Sequence, residues 1–252
     1  MRIAILSDIH SNFEALESVL ESIEKESIDE IISLGDNIGY GADPEKVIKT
    51  MQANNIKSVL GNHEAACIDQ DALLSFNTRA KKALLINKEM LSSESLKYIA
   101  SLQVFIIRHN CRFVHGMPPS SYTKYIKYET NDALVQILAN SSEQLSFVGH
   151  THTLKVYEYN RKEVKTKDIE KKKLKLDKNS SYIVSTGSVG QPRNIGIKAE
   201  YIIFDSVENT IKPRCVAYDN KKAAEKIIKA GIPEIYSLRV EQGISLKQIN
   251  LI

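Results

Sequence analysis

The sequence predicts an α/β protein whose N-terminal part builds a largely parallel sheet and whose C-terminal part adds a second, mainly β layer. Two observations carry this. Short apolar runs alternate with amphipathic stretches from Ile3 to Leu60, which implies right-handed β-α-β crossovers. After Leu102 the apolar runs become short, closely spaced and bounded by turn residues, the pattern of successive strands. At 252 residues the chain is long enough to bury a full core as one domain spanning 1–252.

The elements follow in order. Ile3 to Leu6 is a buried strand, and Phe13 to Ile23 is a helix because Phe13, Leu16, Val19, Leu20 and Ile23 recur on one face. Glu30 to Leu34 is the next strand; Asp43 and Pro44 supply an N-cap and first helical position for a helix carrying Val47, Ile48 and Met51. Ile56 to Leu60 is the third strand. A helical insert covers about residues 66–102, with a break near Ser92 and Ser93. Strands are predicted at Val104 to Ile107, Arg112 to Val114 and Leu145 to Val148, with a helix at Thr130 to Leu138 before the last of these. Lys155 to Tyr159, Tyr182 to Ser185, Tyr201 to Phe204 and Ile211 to Val216 are further strands, and Asn220 to Lys229 is a helix. The C-terminal tail covers about residues 233–252, and its last dozen, Glu241 to Ile252, read equally as docked or frayed.

Composition narrows the function classes. A hydrophobic fraction of 42% and a charged fraction of 26% are those of an ordinary globular protein. The net charge of +3 gives no nucleic-acid or membrane footprint. The first residues lack the apolar segment of a signal peptide, and no apolar run approaches the ~18 residues of a membrane span. The three cysteines, Cys67, Cys111 and Cys215, form no C-x-x-C pair and fit a reducing compartment. The expected location is the cytoplasm.

Chemistry-bearing residues fall at the ends of the predicted strands: Asp8 and His10, then Gly35-Asp36, Gly61-Asn62-His63-Glu64, His115-Gly116 and Gly149-His150-Thr151-His152. Any one of these alone is an ordinary loop cap. Five such groups, each after a β-rich run, place oxygen and imidazole donors along the sheet edge where ligands bind in α/β folds. The absence of thiolates from the set suits manganese, iron, nickel or zinc better than copper(I).

This ordered series resembles the signature of the calcineurin-like metallophosphoesterases. The run Gly187-Ser188-Val189-Gly190-Gln191-Pro192-Arg193 is similar to a segment of their small bacterial and archaeal phosphodiesterase branch. The resemblance implies a four-layer αββα sandwich of two mixed sheets flanked by helices. It further implies two divalent metals, with manganese the first expectation: Asp8, His10 and His152 on one, Asn62, His115 and His150 on the other, and Asp36 bridging. His63 corresponds to a catalytic histidine that is not a ligand, and a hydroxide bridging the metals would attack the phosphodiester. A dinucleoside polyphosphate hydrolase, a phosphomonoesterase, and a metal-stabilised interaction module without turnover are the alternatives.

The second motif departs from the protein-phosphatase branch, which carries a further Asp and an Arg where this chain has Asn37-Ile38-Gly39-Tyr40-Gly41. That departure leaves open which group supports His63, Glu64 being the nearest candidate. Arg193 is assigned to the substrate phosphate, because a guanidinium binds two acceptors at once. The expected partner is a small phosphate ester or nucleotide. Asn77 and Arg79 read as a solvated helix face, and Tyr122, Tyr125 and Tyr128 as a loop that could wall a nucleotide site. Nine basic against four acidic residues between Arg161 and Lys178 read as a solvated hairpin guarding a sheet edge. His109 carries no assigned role.

Overall fold

The structure is a computed structural model and describes residues 1–169, 172–193 and 196–243. Two six-stranded mixed sheets lie face to face with helices outside them. The first sheet contains β1 (Arg2–Leu6), β2 (Glu30–Ser33), β3 (Lys57–Ser58), β9 (Leu174–Lys175), β11 (Ala199–Asp205) and β12 (Thr210–Val216), in the order β3-β2-β1-β11-β12-β9. The second contains β4 (Phe105–Arg108), β5 (Cys111–Val114), β6 (Leu145–Val148), β7 (Leu154–Tyr159), β8 (Val164–Asp168) and β10 (Ser181–Thr186), in the order β4-β5-β6-β10-β7-β8.

The N-terminal sheet is less parallel than its alternating pattern implies. β1, β2 and β3 are parallel, but β11 returns from the C-terminal part and pairs antiparallel with β1, registering Ile3 opposite Phe204. The crossover pattern is a local signal and reports only the strands it connects. In the second sheet β5, β6 and β10 are parallel, so both sheets point the C-terminal ends of three strands toward one edge.

Alternation of side chains explains the layers. Ile3 and Ile5 face inward and join Phe113, Phe147 and Val184 of the second sheet in the central core. Ala4 and Leu6, on the opposite face, pack under α1 (Phe13–Glu24) and α2 (Pro44–Ala53). On the far side, Val148 and Ile183 pack against Leu134 and Leu138 of α7 (Asn131–Ala139). The predicted insert forms α3 (Asn62–Ile68), α4 (Gln70–Leu74), α5 (Thr78–Glu89) and α6 (Ser93–Ala100), with two additional breaks, at Asp69 and at 75–77, that the sequence reading missed. Asp43 precedes α2, but its side chain does not cap the helix; the carboxylate instead meets Lys226 Nζ at 2.8 Å.

Lys226 belongs to α8 (Asn220–Lys229), which α9 (Ile235–Gln242) follows and folds against. The tail is therefore docked as far as Gln242; residues 244–252 lie outside the described residues. Of the basic hairpin, 170–171 lie outside them too. β8 forms the outer edge of the second sheet and keeps Lys165 and Lys167 exposed. Among the described residues no helix is long and apolar enough to cross a membrane.

Candidate metal centre and cleft

The loops after β1, β2, β3, β5 and β6 converge, and backbone bonds continue the sheet beyond its strands. Asp8 N donates to Gly35 O at 3.0 Å, His10 N to Asp36 O at 2.9 Å, and Gly149 N to His115 O at 2.8 Å. Turning each side chain inward requires left-handed backbone at Asp8, His10, Asp36, His150 and His152, five of the twelve non-glycine residues with positive φ among those described. Such conformations are uncommon for non-glycine residues and persist where surrounding bonds over-determine them. Gly149 makes one approach possible: a Cβ there would stand 1.9 Å from Ser7 Oγ.

Every residue assigned from the sequence to the two metals arrives in one place. Asp8 Oδ1 is 3.0 Å from His152 Nε2 and 3.7 Å from His10 Nε2. Asp36 Oδ2 is 3.9 Å from His10 Nε2 and 3.2 Å from His115 Nε2, within reach of both halves. His115 Nε2 lies 3.1 Å from Asn62 Oδ1 and 3.1 Å from His150 Nδ1.

These residues fit metal ions. Four rings each turn one nitrogen outward to donate to a backbone carbonyl: His10 Nδ1 to Ile38 (3.1 Å), His115 Nδ1 to Leu34 (2.7 Å), His152 Nδ1 to Gln191 (2.6 Å) and His150 Nε2 to Thr123 (3.1 Å). That arrangement fixes the tautomer and aims the remaining lone pair at the cluster, as metal-ligating histidines require. His10 Nε2 and His152 Nε2 consequently face each other at 3.3 Å, and Asp8 Oδ1 is buried without a hydrogen-bond partner. Asp8, His10 and His152 form one group of donors within 4.8 Å, Asp36, His115 and His150 a second, and His10, Asp36 and His63 a third that overlaps both.

The protonation pattern has the same origin. Burial pushes His150 down to about 3 and holds His10 well below its ordinary value, so these rings are neutral. For His115 burial acts in the same sense but Asp36 outweighs it, pushing the ring up to about 9, so an ion held at its Nε2 would have to displace a proton.

His63 differs from the four. Its Nε2 is 3.9 Å from Asp36 Oδ2, but its Nδ1 is buried without a hydrogen-bond partner, so no carbonyl fixes its tautomer. Its ring is held by packing: Tyr40 at 4.5 Å, His10 at 4.7 Å and Phe76 at 4.8 Å between ring centroids. Gly39 completes the enclosure, since a Cβ at that position (φ +92°) would fall 2.0 Å from His63 Nδ1. Burial pushes His63 down to about 4, so the ring is neutral at pH 7.

Glu64, the nearest sequence candidate for orienting His63, serves the loops instead. Its oxygens accept from the backbone N–H groups of Asp36 (2.8 Å), Asn37 (2.6 Å), Ile38 (3.3 Å) and Gly61 (3.0 Å). The last bond satisfies the backbone N–H of Gly61, which precedes α3, so one carboxylate ties the Asp36 loop to the helix carrying Asn62 and His63.

A cleft of about 460 Å³ opens beside the second group, lined by Tyr40, Asn62, Phe76, Asn77, Tyr125 and His150 among others. Asn77, read as solvated from the sequence, caps α5 and faces this cleft. Tyr125 stacks on His150 at 3.6 Å, whereas Tyr128 is 75% exposed. Arg193 is exposed, and its positive charge opposes the burial that pushes the Tyr125 hydroxyl up. His109 lies away from the site, 2.9 Å from Glu30. Tyr40, Phe76 and Asn87 were missed as functional positions. Asn87 is buried in α5 and bonds Ser11 Oγ, Gly39 N and Gly41 O; a helical asparagine carries no motif that reveals this.

Comparison with known proteins agrees with this geometry. The calcineurin-like phosphoesterase superfamily domain matches residues 1–209, and the chain belongs to that superfamily. It is thus a metal-dependent phosphoesterase by family, with buried His and Asp clusters to hold the metal. It is 36% identical over 246 residues to an uncharacterized protein of Methanocaldococcus jannaschii, covering 96% of this chain and 98% of that one. A metallophosphoesterase of Sphaerobacter thermophilus with a crystal structure is 32% identical, with a TM-score of 0.84 over 97% of this chain and 99% of the other. The crystal structure of a hypothetical protein of Pyrococcus horikoshii shares the fold at a TM-score of 0.79 and 20% identity, covering 97% and 99%. The αββα architecture is that of these neighbours.

Proposed function

We propose that the protein hydrolyses a phosphodiester at a dinuclear centre, with Asp8, His10 and His152 holding one ion, Asn62, His115 and His150 the other, and Asp36 shared. The observation that carries this reading is the orientation of four imidazoles by backbone carbonyls, which leaves their lone pairs converging on either side of Asp36 Oδ2. Two divalent ions bound there would supply Lewis acidity toward a phosphoryl oxygen and a nucleophilic water at neutral pH. Mixed nitrogen and oxygen donors favour manganese, with iron, nickel and zinc as alternatives.

In this reading His63 is the proton or hydrogen-bond donor to the leaving oxygen. A neutral ring retains one N–H, and the aromatic enclosure fixes the plane of the ring that carries it. Arg193 takes a phosphoryl oxygen at the rim. Tyr40, Phe76 and Tyr125 give the cleft aromatic surface for the organic part of a small ester or nucleotide. The same reading treats residues 1–252 as one cytoplasmic domain.

Hydrolysis of bis-p-nitrophenyl phosphate beside p-nitrophenyl phosphate, with manganese and with chelator, tests it. Manganese-dependent release from the diester above the monoester is expected; the reverse preference would make it a phosphomonoesterase. His63→Ala is expected to retain two metals per chain and lose about 10²–10⁴ in turnover. A fully metallated chain that turns over neither ester, whether or not His63 is present, would be an interaction module.

A further inference from the structure

His63 makes a demand that the four carbonyl-bonded histidines do not. A histidine ring turns about a broad, roughly two-fold torsion, so its surroundings must select its orientation. For His10, His115, His150 and His152 a backbone carbonyl does so. His63 Nδ1 is buried with no such partner among the described residues, and the selection falls to the rings around it. Phe76, from the turn between α4 and α5, is half-buried in the cleft wall. Tyr40 is held from more sides.

Tyr40 has left-handed backbone at φ +64°, which a bulky residue keeps only where its surroundings over-determine it. Both flanking glycines are tied down. Gly39 N donates to Asn87 Oδ1 at 2.7 Å, Asn87 Nδ2 donates to Gly41 O at 2.8 Å, and Gly41 N donates to His10 O at 2.9 Å. These bonds fix the Tyr40 backbone but not the rotation of its ring. Tyr236 takes up that role: it is 3% exposed and stacks on Tyr40 at 4.4 Å between centroids, with 28° between the ring planes. Tyr40 in turn meets His63 edge-on at 4.5 Å, with 72° between planes.

Tyr236 lies on α9, beyond the residues 1–209 matched by the superfamily domain. The helical hairpin that carries it is anchored on its own account. Lys226 Nζ pins α8 to Glu14 at 2.7 Å and Asp43 at 2.8 Å, Ile227, Ile232, Ile235 and Val240 share one apolar cluster, and Arg239 Nη1 donates to Gln191 Oε1 at 3.1 Å. Resting on the phosphoesterase reading above, we infer that Tyr236 is a positioning residue for His63: by stacking on Tyr40 it locks the ring that sets the orientation of the His63 imidazole. The C-terminal hairpin is then part of the catalytic apparatus without touching substrate.

Imidazole NMR of the zinc-loaded full-length chain reads this without turnover, since zinc is diamagnetic. The wild type is expected to show one sharp Cε1–H signal for His63. Tyr236→Leu should broaden that signal by exchange while those of His115 and His150 stay sharp, and Tyr236→Phe, which keeps the stack, should restore it. Ile232→Ala loosens the same hairpin without removing a ring and is expected to match the wild type. Tyr236→Met takes the place of Tyr236→Leu if the latter fails to fold. In turnover, Tyr236→Leu is expected to keep two metals and lose about ten- to a hundredfold in kcat, the scale of a misplaced catalytic group. The loss should be larger on diphenyl phosphate than on bis-p-nitrophenyl phosphate, because the poorer leaving oxygen depends more on a proton from His63. A sharp, unshifted His63 signal in Tyr236→Leu, or equal broadening of every ring signal, would overturn the inference; the latter would leave Tyr236 a structural prop. The expected signals without wild-type turnover remove the reaction alone, and wild-type turnover with an equal loss on both esters removes the positioning alone.

Discussion

The two donor groups of the site share Asp36 but differ in their surroundings. Asp8, His10 and His152 are wholly buried, roofed by Tyr40 and backed by the Gln191 carbonyl. Across Asp36, His115 is equally buried, but Asn62 and His150 line the open cleft, and one acceptor that orients them, Thr123 O, sits on an exposed loop. The same ligand chemistry is thus built once into the core and once at a solvent boundary. An ion on the core side is expected to exchange slowly and to stabilise the fold, and one on the cleft side to exchange readily and to meet the substrate.

Asp36→Asn should erase the distinction, since it weakens both halves together. Metal content is expected to fall from two per chain to below one, and diester turnover by about a thousandfold, the rate equivalent of about 4 kcal/mol. Metal analysis after dialysis and a turnover assay check both. His10→Ala and His150→Ala should instead separate the halves, each losing one ion. Chelator is expected to strip the remaining ion from His10→Ala in the fast phase and from His150→Ala in the slow phase. Indistinguishable stripping rates would mean that the difference in burial has no kinetic meaning.

Asn87→Ala sharpens the comparison from a distance, because Asn87 fixes the loop that carries both Asp36 and the Tyr40 roof. It leaves Ser11, Gly39 and Gly41 short of partners, so denaturant unfolding is expected to show a loss of about 2–3 kcal/mol, with the core-side ion exchanging faster. The smallest effect belongs to Glu45, remote from both groups. Burial opposes its ionisation, but the Ser92 N–H (3.0 Å) and its other partners hold its pKa down to about 2 against an ordinary 4.5. Its contribution is therefore complete above pH about 4.5 and is lost as pH falls through about 2. Glu45→Gln should cost about 1 kcal/mol at pH 7 and less at pH 3.5, with metal content unchanged.

Much of the site was legible because ligand motifs are local. Asp8-x-His10, Gly35-Asp36 and Gly149-His150-x-His152 each combine a strand end with a left-handed turn and a donor, and this local geometry constrains neighbouring residues of the chain. The support for His63 was not legible. A histidine packed by Tyr40 and Phe76 leaves no sequence mark, and Glu64, the obvious candidate by position, is committed to four backbone N–H groups. The docking of α9 was less legible still, because nothing near Glu234 to Gly243 marks Tyr236 and Arg239 as neighbours of Tyr40 and Gln191.

By itself the sequence determined the order of strands and helices, the donors at the strand ends and the class of chemistry they permit, since hydrophobic period and motif spacing act over a few residues. Only the tertiary structure decided that β11 pairs antiparallel with β1, that the cleft side is open while the core side is roofed, and that α9 brings Tyr236 to Tyr40 and Arg239 to Gln191. Those outcomes depend on which buried faces meet when the sheets close, and that packing is a property of the whole chain rather than of any segment.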